Sequence, residues 1–184
     1  KDTGSEVSLM DAEDRETPRY LRRLTQMLLT RRFGSLQLVP GIDEVVLPIK
    51  DMDMFMTEAE GIFQKHGVEV VLNARAGQGI IHAYPFLDLS ELGDRQRLAR
   101  ISTEYYRLAI SLGGSVAAEH GDGRARGSFA KLELGDKLYD AMKKVKLAFD
   151  PFGVMNPGVK IDADVKENFA LMRHDYDLPE LYTH

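Results

Sequence analysis

The sequence predicts an α+β fold in which helices cover one face of an antiparallel sheet. Runs typical of strands alternate with segments of helical period, in the order strand, helix, strand, strand, helix, strand. A turn at residues 76–79 lies between the two central strand segments, which is a hairpin signature. This order is the split βαβ arrangement of ferredoxin-like domains, here with further flanking helices.

The composition bounds the possible functions. The 184 residues, 43% of them apolar, suffice for one self-sufficient core, because a chain of this length buries roughly 70% of its unfolded surface. The absence of cysteine excludes a thiolate nucleophile and any cysteine-ligated metal or cluster in this chain. A net charge of -5 argues against nucleic acid as a partner. No run is long and apolar enough to span a membrane, so a cytoplasmic location is expected.

The elements are predicted in order along the chain. Residues 1–16 are polar and acidic and are expected to form a flexible lead-in. A helix with Thr17 as its cap and Pro18 at its first position is expected to end near residues 33–34. The domain proper is assigned to residues 17–160, with its core in residues 40–160.

Within that core the hairpin is the clearest strand signal. A short strand at 44–47 precedes a helix that ends at His66, and the runs 68–72 and 80–86 form the hairpin. Alternation in the second run places His82, Tyr84 and Phe86 on one face of the sheet. Ile81 and Ala83 are expected on the opposite face.

Two helices with a short strand and a loop between them complete the prediction. Apolar side chains recur at steps of three and four over residues 90–112, which predicts a helix. A strand is expected at 115–118 and a loop at 119–127, and the last helix ends before Asp150 and Pro151.

The loop after the last strand carries the clearest chemical signal. Residues 119–124 read Glu-His-Gly-Asp-Gly-Arg, in which glycine permits close approach of a flat ligand and His120 can move a proton. A tight polar turn held by an acid, an imidazole and an arginine is an equal alternative from these residues alone. His82 and Glu119 could bind a metal, but two ligands fall short of the three of a catalytic zinc site. Near His82, Arg75 is a cation instead of a third ligand.

The segment 148–160 places two proline turns after a helix. The fixed φ values would present Asn156 in one position, and a well-made exit from the domain is the alternative.

Taken together, residues 113–124 (GGSVAAEHGDGR), 148–151 (AFDP) and 155–158 (MNPG) resemble the C-terminal half of FAD-linked oxidases in type, order and spacing. This vanillyl-alcohol-oxidase-like family includes the D-lactate, glycolate and D-2-hydroxyglutarate dehydrogenases. The resemblance implies that the chain is a cap domain that supplies the substrate site. It also implies that FAD is held mainly by an N-terminal domain outside this chain, so that the chain alone would be inactive.

The resemblance also implies roles for individual residues. His120 resembles the base that takes the 2-hydroxyl proton as hydride leaves for the flavin, and Glu119 and His82 resemble metal ligands. The residues expected to bind the substrate carboxylate are Arg75, His82, Tyr84 and Arg124. Those expected to contact the flavin are Gly121, Gly123 and Asn156.

The hairpin departs from the family pattern Gly-His-x-Gly-Asp-Gly-Asn-x-His. Arg75 stands at the first histidine, Gln78 at the aspartate and Ile80 at the asparagine, and Tyr84 stands at a further position often held by asparagine. Two hypotheses follow. In the first, Arg75 replaces the metal and binds the substrate carboxylate or pairs with Glu119, leaving a metal-independent dehydrogenase. In the second, the pocket has lost catalysis and the chain is a structural or interaction module.

The resemblance leaves several properties of the whole protein open. An iron–sulfur or quinone electron acceptor is expected, and peripheral attachment to a membrane is an alternative to a purely cytoplasmic location. The tail, 161–184, is predicted to dock on this domain, on a neighbouring domain or on a second copy. The oligomeric state is not predicted.

Overall fold

The computed structural model describes residues 16–17, 19–21, 23–24, 36–39 and 42–172. The chain divides into two units, residues 1–35 and residues 36–184. In the first unit the described residues are helical, which confirms a helix in this region. Glu16 and Thr17 already belong to it, so the helix begins before the predicted cap Thr17 and takes in the last residue of the predicted lead-in. The predicted end of that helix, the lead-in up to residue 15 and the tail after residue 172 lie outside the described residues.

The second unit is built on a four-stranded antiparallel sheet. Its strands are β1 (Gln37–Leu38), β2 (Glu44–Val46), β3 (Val70–Arg75) and β4 (Ile80–Leu87). The central strand is β4, which pairs with β3 along one edge and with β2 and β1 along the other. The hairpin prediction is therefore confirmed, and β3 lies two to three residues further along the chain than predicted.

Helices surround this sheet. They are α1 (Met52–His66), α2 (Leu92–Ser111), α3 (Gly123–Gly127), α4 (Ala130–Phe149) and α5 (Val165–Ala170). Two short 3₁₀ turns occupy Ile49–Asp51 and Ala76–Gln78, and α4 is kinked at Gly135. The loop predicted at 119–127 therefore contains a short helix, α3.

The strand predicted at 115–118 is wrong beyond its first residue. Ser115 pairs with Val46 in an antiparallel bridge, which places this segment beside β2 in the order expected for a ferredoxin-like sheet. The pairing stops there because the Ser115 hydroxyl bonds to the N–H and the carbonyl of Ala117. The N–H of Ala118 then donates to the side chain of Glu44 instead of to a neighbouring strand.

The two faces of β4 have different surroundings. Ile81 and Ala83 belong to the apolar core, where they pack with side chains of α1 and α2 such as Phe55 and Tyr105. The pairing register places His82 beside Glu44 of β2 and Asn73 of β3. The predicted alternation is confirmed, and the face of the sheet away from α1 and α2 is the one that carries polar groups.

Candidate active site

Glu44 lies at the centre of the polar face. Its side chain is 0% exposed, and it stands opposite His82 in the β2–β4 register. Its Oε1 accepts three backbone hydrogen bonds, from the N–H groups of Ala118 (3.1 Å), Glu119 (2.9 Å) and His120 (2.7 Å). Three consecutive N–H groups that converge on one carboxylate oxygen form an anion-binding nest, so Glu44 shapes the loop that carries His120.

Arg126 holds the same carboxylate from α3. Its Nη1 lies 3.2 Å from the Oε1 of Glu44 and donates to the carbonyl of Val116 at 3.2 Å, while its Nη2 contacts the carbonyl of Gly121. Burial by itself raises the pKa of the Glu44 carboxyl. The backbone hydrogen bonds and the Arg126 charge outweigh burial and hold that pKa below its usual value. Glu44 is therefore ionised at neutral pH.

The Asp43 carboxylate contacts both histidines, and the Glu44 carboxylate contacts His120. The Nδ1 of His120 lies 3.1 Å from the Oε2 of Glu44 and 3.4 Å from the Oδ2 of Asp43. The Oδ1 of Asp43 lies 3.3 Å from the Nδ1 of His82. The His120 side chain is 58% exposed and the His82 side chain only 6% exposed, so of these two imidazoles His120 can meet a ligand.

An ion pair closes the site on the hairpin side. The Nη1 of Arg75, at the end of β3, contacts the Oε1 of Glu119, and both side chains are about one-third exposed. Tyr84 extends this face along β4, with its ring parallel to that of His82 and the ring centroids 6.2 Å apart. Four of the predicted site residues are thus brought together, and Tyr84 stands at the margin.

Arg124 and the two predicted loop glycines have separate surroundings. Arg124 is exposed and donates to the Oδ1 of Asn168 in α5 at 3.4 Å, whereas Arg126, two residues later, enters the cluster. Gly121 and Gly123 have φ values of 69° and 54°, and a Cβ at either would meet no atom within 4 Å. Their backbone is accessible to a ligand.

Asn156 lies on an exposed loop after α4. Asp150 fixes this loop, because its carboxylate accepts the N–H groups of Val154 and Met155 at 2.9 Å. The end of the loop lies against α3, where Lys160 pairs with Asp122. No hydrogen bond or ion pair among the described residues joins Asn156 directly to the Glu44 cluster.

Sequence reasoning missed three residues of the site, Asp43, Glu44 and Arg126. The available signal was a pair of acids at the start of an apolar strand, because a carboxylate in a buried strand requires a partner. The partners, 74 to 76 residues away, have no local signature.

The chain matches the sequence model of a known protein family. The sequence model of the family described as "FAD linked oxidases, C-terminal domain" matches residues 2–159. The chain belongs to this family.

Several relatives of the family match over most of the chain. D-2-hydroxyglutarate dehydrogenase of Pantoea ananatis is 26% identical over 84% of this chain and 15% of its own length. Glycolate oxidase subunit GlcD of Bacillus subtilis is 25% identical over 92% of this chain and 36% of its own length. D-lactate dehydrogenase of Archaeoglobus fulgidus is 30% identical over 66% of this chain and 26% of its own length. The chain thus spans little more than a third, or less, of these relatives.

The described residues offer two three-residue groups to a metal ion. In the first, ligand atoms of Glu44, His82 and Glu119 lie within 4.8 Å of one another. This set does not fit a divalent ion, because Glu119 is paired with the guanidinium of Arg75 and the Oε1 of Glu44 accepts three N–H groups. Only the Oε2 of Glu44 and the His82 imidazole are left to an ion, fewer than the three protein ligands of a catalytic zinc site. The second set is Asp43, His82 and His120. In this set the exposed imidazole of His120 would bind the metal and would not be open to a substrate.

No helix in the described part of the chain is long and apolar enough to cross a membrane.

Proposed function

We propose that this chain is the substrate-side cap of a flavin-dependent dehydrogenase that oxidises a 2-hydroxy acid. The observation that carries the proposal is the exposed imidazole of His120, whose Nδ1 faces two carboxylates, on the same face as the Arg75 guanidinium. A base and a cation side by side are what removal of a proton from a 2-hydroxy carboxylate requires. The D-lactate and D-2-hydroxyglutarate dehydrogenases among the relatives support this substrate class.

The loop residues beside His120 can contact the face of a flavin on which the substrate would lie. The exposed backbone at Gly121 and Gly123 admits a planar group, and these residues, with Asn156, are the proposed flavin contacts. FAD, when bound, accepts the hydride that leaves C2 of the substrate. We expect another domain to hold most of the cofactor, N-terminal in the same polypeptide, because the chain spans at most 36% of the relatives described above.

Three residues of the chain, Arg75, His120 and Glu119, have separate roles in the proposed reaction. Arg75 has five N–H donors and pairs with Glu119 through one nitrogen, so its other donors can bind the substrate carboxylate. The Nε2 of His120 takes the proton of the 2-hydroxyl while the C–H bond at C2 breaks, and the product is a 2-oxo acid. Glu119 orients Arg75. Arg75 supplies the positive charge, and the proposed reaction is metal-independent.

Flavin reduction in the polypeptide that joins this chain to its flavin domain tests the proposal. The protein is mixed anaerobically with D-lactate, glycolate or D-2-hydroxyglutarate, and the loss of oxidised flavin absorbance is followed. We expect His120→Ala to slow reduction by at least about 100-fold, the smaller effect of losing a general base. Unchanged reduction in that variant would remove His120 from the mechanism.

Arg75→Met tests the carboxylate contact, and Arg97→Met is the matched control because Arg97 pairs only with Asp94 at the start of α2 among the described residues. We expect a half-saturating substrate concentration at least about 10-fold higher for Arg75→Met alone, since a charge-assisted hydrogen bond is lost. Stoichiometric zinc or manganese in the purified protein would refute the metal-independent mechanism.

A structural or interaction module is the second candidate. It is favoured by the internal pairing of Glu119 with Arg75 and of Glu44 with the loop, which needs no ligand. A polypeptide that retains FAD and is reduced by none of the three acids would support the module. If one of the acids does reduce the flavin, the proposed electron acceptor, an iron–sulfur centre or a quinone, is identified by its ability to reoxidise the reduced flavin.

A further inference from the structure

The carboxylate of Glu44 has two ends with different surroundings. Its Oε1 is saturated by three backbone N–H groups and lies 3.2 Å from Arg126. Its Oε2 is buried and accepts no hydrogen bond of regular geometry from any residue that the structure describes. The Nδ1 of His120, at 3.1 Å, is the nitrogen paired with it. The two atoms are close enough for a hydrogen bond, and an N–H on Nδ1 turned toward Oε2 would satisfy the buried oxygen.

This contact has a consequence for the other ring nitrogen of His120. A neutral imidazole carries one proton, and the nitrogen that donates leaves the other as an acceptor. If Nδ1 donates to Glu44, the Nε2 across the ring carries a lone pair. That tautomer is the one that can accept a proton from a ligand.

The other charged groups around His120 do not replace Glu44 in this function. Asp43, just before β2, is 3.4 Å from the same Nδ1, but its other oxygen is engaged with His82 of β4. Arg126 of α3 is bound to Glu44, and Arg75 of β3 is bound to Glu119. Glu44 is fully buried, whereas the Asp43 side chain is 30% exposed, so the Glu44 charge is less screened by solvent.

We propose that Glu44 is the positioning residue for His120: its Oε1 fixes the backbone of the loop and its Oε2 fixes the imidazole with the proton on Nδ1. The inference rests on the proposed function for the use of His120 as a base. Its structural content, the ring tautomer, is measured independently of turnover.

The most informative variant is Glu44→Gln, which preserves the shape of the side chain and replaces one acceptor oxygen by an NH₂ donor. The glutamine oxygen is expected to stay with the three N–H groups and Arg126, because all of these are donors. Its NH₂ group then faces the Nδ1 of His120 and can only donate. The imidazole must accept there, so its proton moves to Nε2 and the base is lost.

The tautomer is read from the ring ¹⁵N chemical shifts of His120 in the 184-residue chain at a pH where the imidazole is neutral. We expect the proton on Nδ1 in the wild type and on Nε2 in Glu44→Gln. Asp43→Asn is the matched control, and in it the proton stays on Nδ1. In the flavin-containing polypeptide, Glu44→Gln is expected to slow flavin reduction by at least about 100-fold, as for loss of a base.

Each outcome decides a separate point. A wild-type proton on Nε2, or an unchanged tautomer in Glu44→Gln, overturns the inference. The wild-type spectrum alone can contradict the inference, so the test is decisive even if the variant folds poorly. If the tautomer switches but His120→Ala reduces flavin normally, the positioning contact is supported and the proposed function fails.

Discussion

Two neighbouring tyrosines in α2 provide a stability test in which only one hydroxyl has a partner. Tyr105 and Tyr106 are both 0% exposed. The Tyr105 ring lies with its centroid 5.1 Å from that of Phe55 and 5.8 Å from that of Phe63, and its hydroxyl has no hydrogen-bond partner among the described residues. The Tyr106 hydroxyl accepts the N–H of Asp43 at 3.3 Å. Replacing each tyrosine by phenylalanine keeps the ring and removes only the hydroxyl.

The two variants should change stability in opposite directions. An unsatisfied buried polar group costs about 1–3 kcal/mol, so we expect Tyr105→Phe to raise the free energy of unfolding by about 1 kcal/mol. Tyr106→Phe leaves the Asp43 N–H without its acceptor and should lower that free energy by about 1 kcal/mol. Burial raises the pKa of the Tyr105 phenol well above its usual value, so ionisation does not affect the comparison near neutral pH.

Urea unfolding followed by circular dichroism measures both differences, provided that the dependence on urea is the same for wild type and variants. Equal losses of stability in the two variants would refute the reasoning, because the Tyr105 hydroxyl would then have to be satisfied in the folded protein.

Two further measurements test the packing and the electrostatics. A Cβ at Gly127 would lie 2.2 Å from the carbonyl oxygen of Val159, so Gly127→Ala should destabilise the domain by about 1–3 kcal/mol in urea unfolding. Gly61→Ala, in the middle of α1 with no atom within 4 Å of the new Cβ, should stabilise it by about 0.5–1 kcal/mol, and equal effects would contradict the contact. Hydrogen bonds from Lys65 and His66 hold the pKa of the Glu104 carboxyl below its unfolded value, so this carboxylate stabilises the fold above the unfolded pKa and loses the effect as pH falls through the folded pKa. The difference in unfolding free energy between the wild type and Glu104→Gln should therefore shrink on acidification, and a difference that grows would contradict the pairing.

The hairpin and the helix after it could be predicted because their signals are local. The alternation in residues 80–86 follows from the two-residue period of a strand, and the structure has β4 at Ile80–Leu87. Periodic apolar residues predicted a helix at 90–112, and α2 occupies Leu92–Ser111. The strand expected after it fails because a buried carboxylate far along the chain captures the N–H groups that a strand would use.

The choice between two arginines could not be made from the sequence. The sequence predicts a loop in this segment and Arg124 at the substrate, and a loop gives no reason to choose Arg126 instead. In the helix α3 that forms instead, residues two positions apart point to different sides. Arg126 therefore turns into the Glu44 cluster while Arg124 faces Asn168. Only the helical conformation decides which arginine belongs to the site.

In the proposed mechanism Arg75 takes the place of a metal ion, which makes the reaction depend more on His120 as a base. A guanidinium can bind a carboxylate and balance the charge of Glu119, but it does not coordinate a hydroxyl oxygen as a metal ion does. The acidity of the 2-hydroxyl would then not be increased by coordination, so its proton must go to a well-oriented base. The proposed positioning by Glu44 meets that requirement, because one buried carboxylate accepts the backbone N–H of His120 and lies 3.1 Å from the ring nitrogen of the same residue. A positive charge from Arg75 instead of a metal ion and a base oriented by a buried carboxylate are thus linked features of the proposed mechanism.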